Sequence, residues 1–335
     1  MRPIRWCTII DAITNDEATR LELWRAVTAP TRHSDEEGNV PVRFGLFGTG
    51  YWAAEVHAAA LRAADRQVRL VGVWGRDRGK ASSLAARYGC RPYDDVDALI
   101  ADVDAIAVAL PPAVQAPIAA RAAAAGRHLL LDKPLALSTA AAGEVMSAVR
   151  AAGVASVVFF TSRFAPSTAR WLEQQAGRDW HGGEATWMGS IHAPGSPFGA
   201  SPWRDQHGGL WDVGPHSLSM TIPLLGSVER VPCAVRDVDG TIRFVARHES
   251  GSLSVHTVGI NVPPAATAVR VAVYGESGWA TMPLPVEAEV VDALGEALRQ
   301  LLAAIADGAA SHPCDVGFGA EVVAVLGQAQ ALLDG

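Results

Sequence analysis

The sequence predicts a parallel α/β sheet domain over residues 42–160, followed by an α+β domain with a mostly antiparallel, open sheet over 161–335. Three observations carry that prediction. From Val42 onward, short apolar runs alternate with longer alanine-rich segments, the pattern of βαβ units. Beyond residue 160 the pattern changes to strand-like runs separated by turn pairs such as Asp239-Gly240 and Ser250-Gly251, which favour hairpins. At 335 residues and 49% hydrophobic, the chain is long and apolar enough to bury two cores.

In order, strands are expected at Val42 to Phe47, Val68 to Trp74, Asp104 to Leu110, His128 to Leu131 and Val154 to Phe160. Helices are expected between them at Tyr51 to Ala64, Arg78 to Tyr88, Gln115 to Ala125 and Ser138 to Ala152. Right-handed crossovers then line up the strand carboxyl ends along one crevice. A helix at Pro166 to Gln175 leads into strands at Ala185 to Ile191, Val231 to Asp237, Thr241 to Arg247, Ser252 to Gly259 and Val269 to Tyr274. Helices near Val286 to Ala306 and Phe318 to Leu333 close the chain. Residues 1–41 read as an appendage, a loosely attached extension with one helical stretch near Glu17 to Val27.

Composition narrows the function. A net charge of −7 with no basic cluster argues against a nucleic-acid surface. Cys7, Cys90, Cys233 and Cys314 are far apart, so neither a metal site nor a disulfide framework is expected, which suits a reducing cytoplasm. No apolar run approaches the roughly 20 residues of a membrane span, and the first forty residues lack the apolar core of a signal peptide. The expectation is a cytoplasmic enzyme or small-molecule binder, with no nucleic-acid or membrane partner.

Gly48-Thr49-Gly50-Tyr51-Trp52-Ala53 follows the first strand and opens the first helix. Glycines there permit a tight turn and let the backbone approach a pyrophosphate seated on the helix N-terminus, so the turn predicts dinucleotide binding. Ala53 supplies the small residue at the strand–helix contact. At the end of the second strand, where an acid usually meets a free 2′-hydroxyl, Gly75 and Arg76 stand instead. A missing carboxylate and an added guanidinium favour NADP(H), with NAD(H) possible. Two alternatives stay open: Asp77 reaches the ribose, or Arg76 is a solvated turn residue.

Asp132-Lys133-Pro134 follows the fourth strand directly, which aims Lys133 into the crevice. Downstream, Asp212 and His216 are four residues apart and face the same side if both lie on one helix. An imidazole near neutrality exchanges protons readily and a carboxylate one turn away can tune it. A capping aspartate beside an incidental histidine is the plainer alternative. Ten tryptophans stand out, and Trp52, Trp74, Trp187, Trp203 and Trp211 are expected near the cleft.

Together these residues resemble the Gfo/Idh/MocA oxidoreductase family, from about Val42 to the C-terminus. The likeness includes Leu110-Pro111-Pro112, Arg163-Phe164-Ala165-Pro166, Ser201-Pro202-Trp203-Arg204 and the run from Gly208 to His216. It implies a Rossmann-type first domain, an NAD(P)-dependent dehydrogenase acting on a sugar, polyol or sugar nucleotide, and a homo-oligomer, dimer or tetramer. It implies that Lys133 orients the substrate oxygen, that His216 is the general acid/base and that Asp212 is its hydrogen-bonding partner. Gly48, Thr49, Gly50, Tyr51, Trp52, Gly75, Arg76, Leu110, Pro111, Gln115, Asp132, Lys133, Trp203 and Arg204 become candidate cofactor-binding residues. Lys133, Arg163, Asp212 and His216 become candidates for the substrate. Asp132 replaces the family's commoner glutamate, and Gln115 stands where histidine is frequent. A non-catalytic dinucleotide sensor of the same fold is the competing function.

Overall fold

Strand β1 (Val42–Phe47) lies at the centre of the first sheet, between β2 (Val68–Trp74) and β4 (Ala105–Val108). With β3 (Arg91–Tyr93), β5 (His128–Asp132) and β6 (Ser156–Phe159) the order is β3-β2-β1-β4-β5-β6, parallel throughout. The order reverses between β1 and β4, which opens the ligand crevice of such sheets at their carboxyl ends. The computed structural model describes residues 40–199, 201–284 and 289–335. The expected appendage with its helix, Trp6 and Trp24, and the expected start of a helix at Val286 lie outside the described residues.

The crossovers are a helical turn at Ala53–His57 running into α1 (Ala58–Ala63), then α2 (Arg78–Tyr88), α3 (Val96–Ala101), α4 (Pro112–Ala124) and α5 (Thr139–Ala152). Side chains mark their starts: Asp77, Asp95 and Ser138 accept from the amides of Lys80, Ala98 and Ala141. Gly89 and Gly153, both left-handed, end α2 and α5. Strands β4 and β6 are buried along their whole length, as a sheet covered on both faces requires. Elements as short as β3 and α3 carry too few residues for periodicity to show them.

Helices α6 (Thr161–Phe164) and α7 (Pro166–Gln175) lead to β7 (Trp180–Met188). Next come α8 (Pro202–Asp212), α9 (Gly214–Leu225), β8 (Val228–Arg236), β9 (Ile242–His248), β10 (Leu253–Gly259), β11 (Ala268–Gly275) and β12 (Gly278–Thr281). The second sheet runs β12-β11-β7-β10-β9-β8 and is antiparallel except where β7 meets β10. Strand β7 starts at Trp180, not at the expected Ala185. Gly182 and Gly183 look like a turn in the sequence, yet a Cβ on either would strike Leu253 O or Ala272 O at 2.9 Å. They are strand glycines chosen for close approach.

Helices α9 and α11 (Val316–Asp334) pack on the second sheet, while its opposite face exposes Val255 and Tyr274. Helix α10 (Glu289–Ala306) returns to α1 and β6 of the first sheet. Between α10 and α11 the chain runs along β6, where the Val158 amide donates to Cys314 O at 2.7 Å. Helix α11 has the length and apolarity of a membrane span, contrary to the expectation that no segment does. Glu321 and small residues break its apolar runs in the sequence; in the fold Val322, Val323, Leu326 and Ala329 are buried, so α11 packs as a core helix.

Candidate active site

The phosphate turn lies at the carboxyl end of β1. Gly48 has φ +136°, and a Cβ there would sit 2.5 Å from Ala109 O, so only glycine lets β1 and β4 close together. At Gly50 the opposite holds: nothing lies within 4 Å of where a side chain would begin. The turn therefore has a closed inner wall and an open outer one, above the first amides of a helix. That is a cradle suited to a pyrophosphate. Thr49, Tyr51 and Trp52 line it and are half-buried.

At the end of β2, a Cβ on Gly75 would meet Thr49 Cγ2 at 2.5 Å, which excludes an acid at that position. Asp77, the alternative ribose partner, caps α2 by accepting from Lys80 N at 3.0 Å. Arg76 is exposed beside a groove lined by Thr49, Asp77, Lys80 and Ser83. In that groove Arg87 pairs with Glu55 at 2.6 Å.

Lys133 occupies the carboxyl end of β5, as the sequence predicts. Its ammonium donates to Asp212 O at 2.6 Å and Asp212 Oδ1 at 3.0 Å. The other oxygen of Asp212 accepts from Arg204 Nε at 2.9 Å. All three side chains are largely buried. Burial opposes ionisation of Asp212, but Lys133 and Arg204 outweigh it and hold the carboxyl well below the usual range. The Lys133 turn is itself clamped. Gln115, fully buried, accepts from Asp132 N at 2.9 Å and donates to Asp132 O at 2.7 Å and Pro134 O at 3.1 Å. Its amide faces this turn. Asp132 Oδ1 accepts from Lys133 N, and its Oδ2 lies 3.6 Å from His57 Nε2, a buried histidine that sequence reasoning missed. The helical turn after Trp52 was the signal: its inward face meets the sheet end.

Asp212 and His216 do not share a helix. Asp212 ends α8 and His216 lies in the first turn of α9, with Val213 between them. No hydrogen bond joins their side chains, because both Asp212 oxygens face the two cations. The expected pairing is therefore replaced by a Lys133–Asp212–Arg204 cluster. The glycines explain the break. Gly208 takes φ +65°, ψ −163°, which kinks α8, and a Cβ on Gly209 would strike Gly259 Cα at 2.7 Å. His216 stacks on Trp187, with ring centroids 4.9 Å apart and planes at 13°. Its Nδ1 is sealed from solvent and has no hydrogen-bond partner. Burial and then the Lys133 ammonium push the imidazole well below its usual value, against the opposing pull of Asp212.

Helix α9 is seated on the second sheet by a buried polar chain. Gly226 O meets His248 Nδ1 at 2.6 Å, and His248 Nε2 meets Ser254 Oγ at 2.8 Å. Ser254 Oγ meets His256 Nε2 at 2.8 Å, and His256 Nδ1 meets Ser217 Oγ at 2.9 Å. Ser217 Oγ then donates to Gly214 O at 2.9 Å. Burial lowers the His256 imidazole to about 3, with His248 adding to the effect.

The remaining candidates separate into two groups. Leu110 and Pro111 border the crevice after β4 and are half-buried. Arg204 stacks between Phe198 and Trp203, at 4.7 and 4.8 Å from their centroids. Phe198 in turn meets Tyr51 and Trp52 edge-on, so this loop covers the phosphate turn. Nothing in the spacing around Phe198 announces that contact. Arg163 instead donates to Ser219 O and lies over Phe318, a packing position between α6, α9 and α11. Trp211 donates to Gln330 and Trp74 leans on Phe47, so these two rings are core.

Residues 42–160 match the family model described as an oxidoreductase family with an NAD-binding Rossmann fold. D-xylose 1-dehydrogenase (NADP(+)) 2 of Haloferax volcanii is 30% identical over 221 residues, 62% of this chain and 66% of that protein. A dTDP-3,4-didehydro-2,6-dideoxy-alpha-D-glucose 3-reductase of Streptomyces antibioticus is 34% identical over 36% of this chain and 37% of its own. The chain thus matches less than two thirds of the length of these curated relatives. The structure of UDP-N-acetylglucosamine 3-dehydrogenase from Acidithiobacillus ferrooxidans shares the fold, with a TM-score of 0.73 at 21% identity over 88% of this chain and 98% of that one. The open phosphate turn, the lysine at the end of β5 and the second sheet behind it have their counterpart in these proteins. The chain belongs to the Gfo/Idh/MocA family of oxidoreductases.

Proposed function

We propose that this protein is an NAD(P)-dependent oxidoreductase that interconverts a secondary alcohol and a ketone on a sugar, polyol or sugar nucleotide. The observation that carries the reading is Lys133. It is aimed from the end of β5 and held by Asp212 from the other sheet's helices, beside an open phosphate turn. In this reading residues 42–160 hold the dinucleotide, residues 161–335 supply the substrate pocket and the oligomer contact, and 1–41 is an extension. A cytoplasmic location belongs to the same reading and rests on composition.

A nicotinamide dinucleotide, when bound, supplies a hydride donor or acceptor. The turn from Gly48 to Ala53 would hold its pyrophosphate, and Arg76 its adenosine end. Lys133 and His216 orient the substrate oxygen, and a proton passes between that oxygen and the cluster. Trp187 holds the His216 ring in one plane, and Phe198 over the turn limits water. A panel of keto-sugars, polyols and sugar nucleotides, assayed with both dinucleotides, tests the reading. Exchange with at least one compound is expected; none with any, by a chain that binds dinucleotide, would leave the sensor function in its place.

The preference for NADP(H) follows from Gly75 and Arg76: there is no room for an acid, and a guanidinium is free to meet a 2′-phosphate. Fluorescence titration should show tighter binding of NADPH than NADH. Arg76→Ala should weaken NADPH by about ten- to a hundredfold, the scale of one charge-assisted hydrogen bond, with NADH little changed. Tighter NADH binding by the parent chain would reverse the assignment.

A further inference from the structure

We propose that Lys133 carries the proton of the reaction, and that His216 remains a neutral imidazole holding the substrate oxygen through Nε2–H. The inference deepens the oxidoreductase reading above and depends on it for the identity of the substrate.

The argument begins at Asp212. With Oδ1 on Lys133 and Oδ2 on Arg204, neither oxygen faces His216. His216 Nδ1 is sealed with no partner, whereas Nε2 is not sealed. An orphaned buried N–H is rarer and more costly than a bare acceptor, so the ring hydrogen resides on Nε2. An imidazolium would place a second hydrogen on Nδ1, against no acceptor and beside Lys133 and Arg204. Lys133, Arg204 and Asp212 are the charged groups that act on this ring, and the two cations outnumber the carboxylate. Trp187 stacks on the ring and offers no proton acceptor in its plane. His216 is therefore built to donate one hydrogen bond and not to gain a proton.

Lys133 has the complementary inventory. An ammonium has three N–H groups. Two reach Asp212 O and Oδ1, and the third remains for a substrate oxygen. In reduction, the ketone carbon gains a hydride, with its electron pair, from a reduced nicotinamide dinucleotide. The C=O π pair moves onto oxygen, which takes a proton from the third Lys133 N–H. The products are the alcohol, the oxidised dinucleotide and a neutral amine, which regains its proton from water. In oxidation the amine lone pair accepts the hydroxyl proton as the hydride leaves. Asp212 and Arg204 act through Lys133 and are positioning residues.

The first test needs no dinucleotide. In the full chain labelled with ¹⁵N-histidine, long-range ¹H–¹⁵N correlations should show His216 as the Nε2–H tautomer throughout about pH 5 to 8, where an ordinary histidine titrates. The signal is assigned by its loss in His216→Gln. An Nδ1–H tautomer, or an imidazolium in that range, would overturn the proposal. Kinetics supply the second test. The glutamine amide can replace the Nε2–H donor but cannot exchange a proton. His216→Gln should therefore lower kcat by about tenfold and leave the pH limb in place. His216→Leu, which lacks a donor, should lose about 10²–10³-fold. Lys133→Ala should lose the limb and regain turnover with added methylamine. A His216→Gln enzyme as inactive as His216→Leu would return the proton to His216. Failure of every substrate in the panel would instead remove the oxidoreductase reading, with the tautomer still decided by the spectrum.

Discussion

Replacing Lys133 by alanine is expected to lower turnover by about 10²–10⁴-fold, the range supplied by a positioned acid or base. Dinucleotide affinity should stay close to that of the parent. The separation follows from placement: the phosphate turn is built by Gly48, Gly50 and the helix beyond them, whereas Lys133 faces Asp212 across the crevice. Steady-state rates on a substrate from the panel, with fluorescence titration of the dinucleotide, measure both quantities on one sample. A rate unaffected by the change would remove Lys133 from the chemistry. A loss of dinucleotide binding equal to the loss of rate would make it a cofactor residue only.

Asp212→Ala should be the most destabilising change in the site. It leaves Lys133 and Arg204, both mostly buried, with no carboxylate between them. Removing one member of a buried ion pair costs about 3–5 kcal/mol. At roughly 2–4 °C per kcal/mol for a large domain, thermal unfolding should shift down by on the order of 6–15 °C. The pH dependence has a definite sign. The folded carboxyl is held below its ordinary value, so its contribution is complete above the unfolded value of about 4 and is lost as pH falls toward the folded one. Asp212→Asn should therefore lose less stability than the parent on acidification through that window, as urea unfolding at a series of pH values would record.

Much of the fold was legible because two periodicities alternate cleanly through the first domain. The expected helices at Arg78 to Tyr88 and Pro166 to Gln175 match α2 and α7 end to end, since Asp77 and Pro166 punctuate their starts. The start of β7 was not legible, because Gly182 and Gly183 carry turn chemistry in sequence and a packing function in space. The site divides the same way. Lys133 is readable from its place after an apolar strand. The Asp212–His216 spacing misleads, because a helical interval is informative only if one helix spans it, and Val213 interrupts. Arg204, Phe198 and His57 meet their partners across long sequence separations, and no local pattern records such contacts.

The polar chain beneath α9 has an arithmetic of its own. It makes five contacts between two backbone carbonyls, Gly226 O and Gly214 O, through His248, Ser254, His256 and Ser217. Both ends accept, and each neutral imidazole or hydroxyl brings one hydrogen. Four hydrogens cannot fill five links, and the lowered imidazoles do not take up a fifth. One link is always vacant. With His248 Nδ1–H fixed on Gly226 O, the vacancy falls to Ser217, whose hydroxyl serves either His256 or Gly214 but not both. The helix that presents His216 thus rests on a hinge with two equivalent latches, only one of which is fastened at a time.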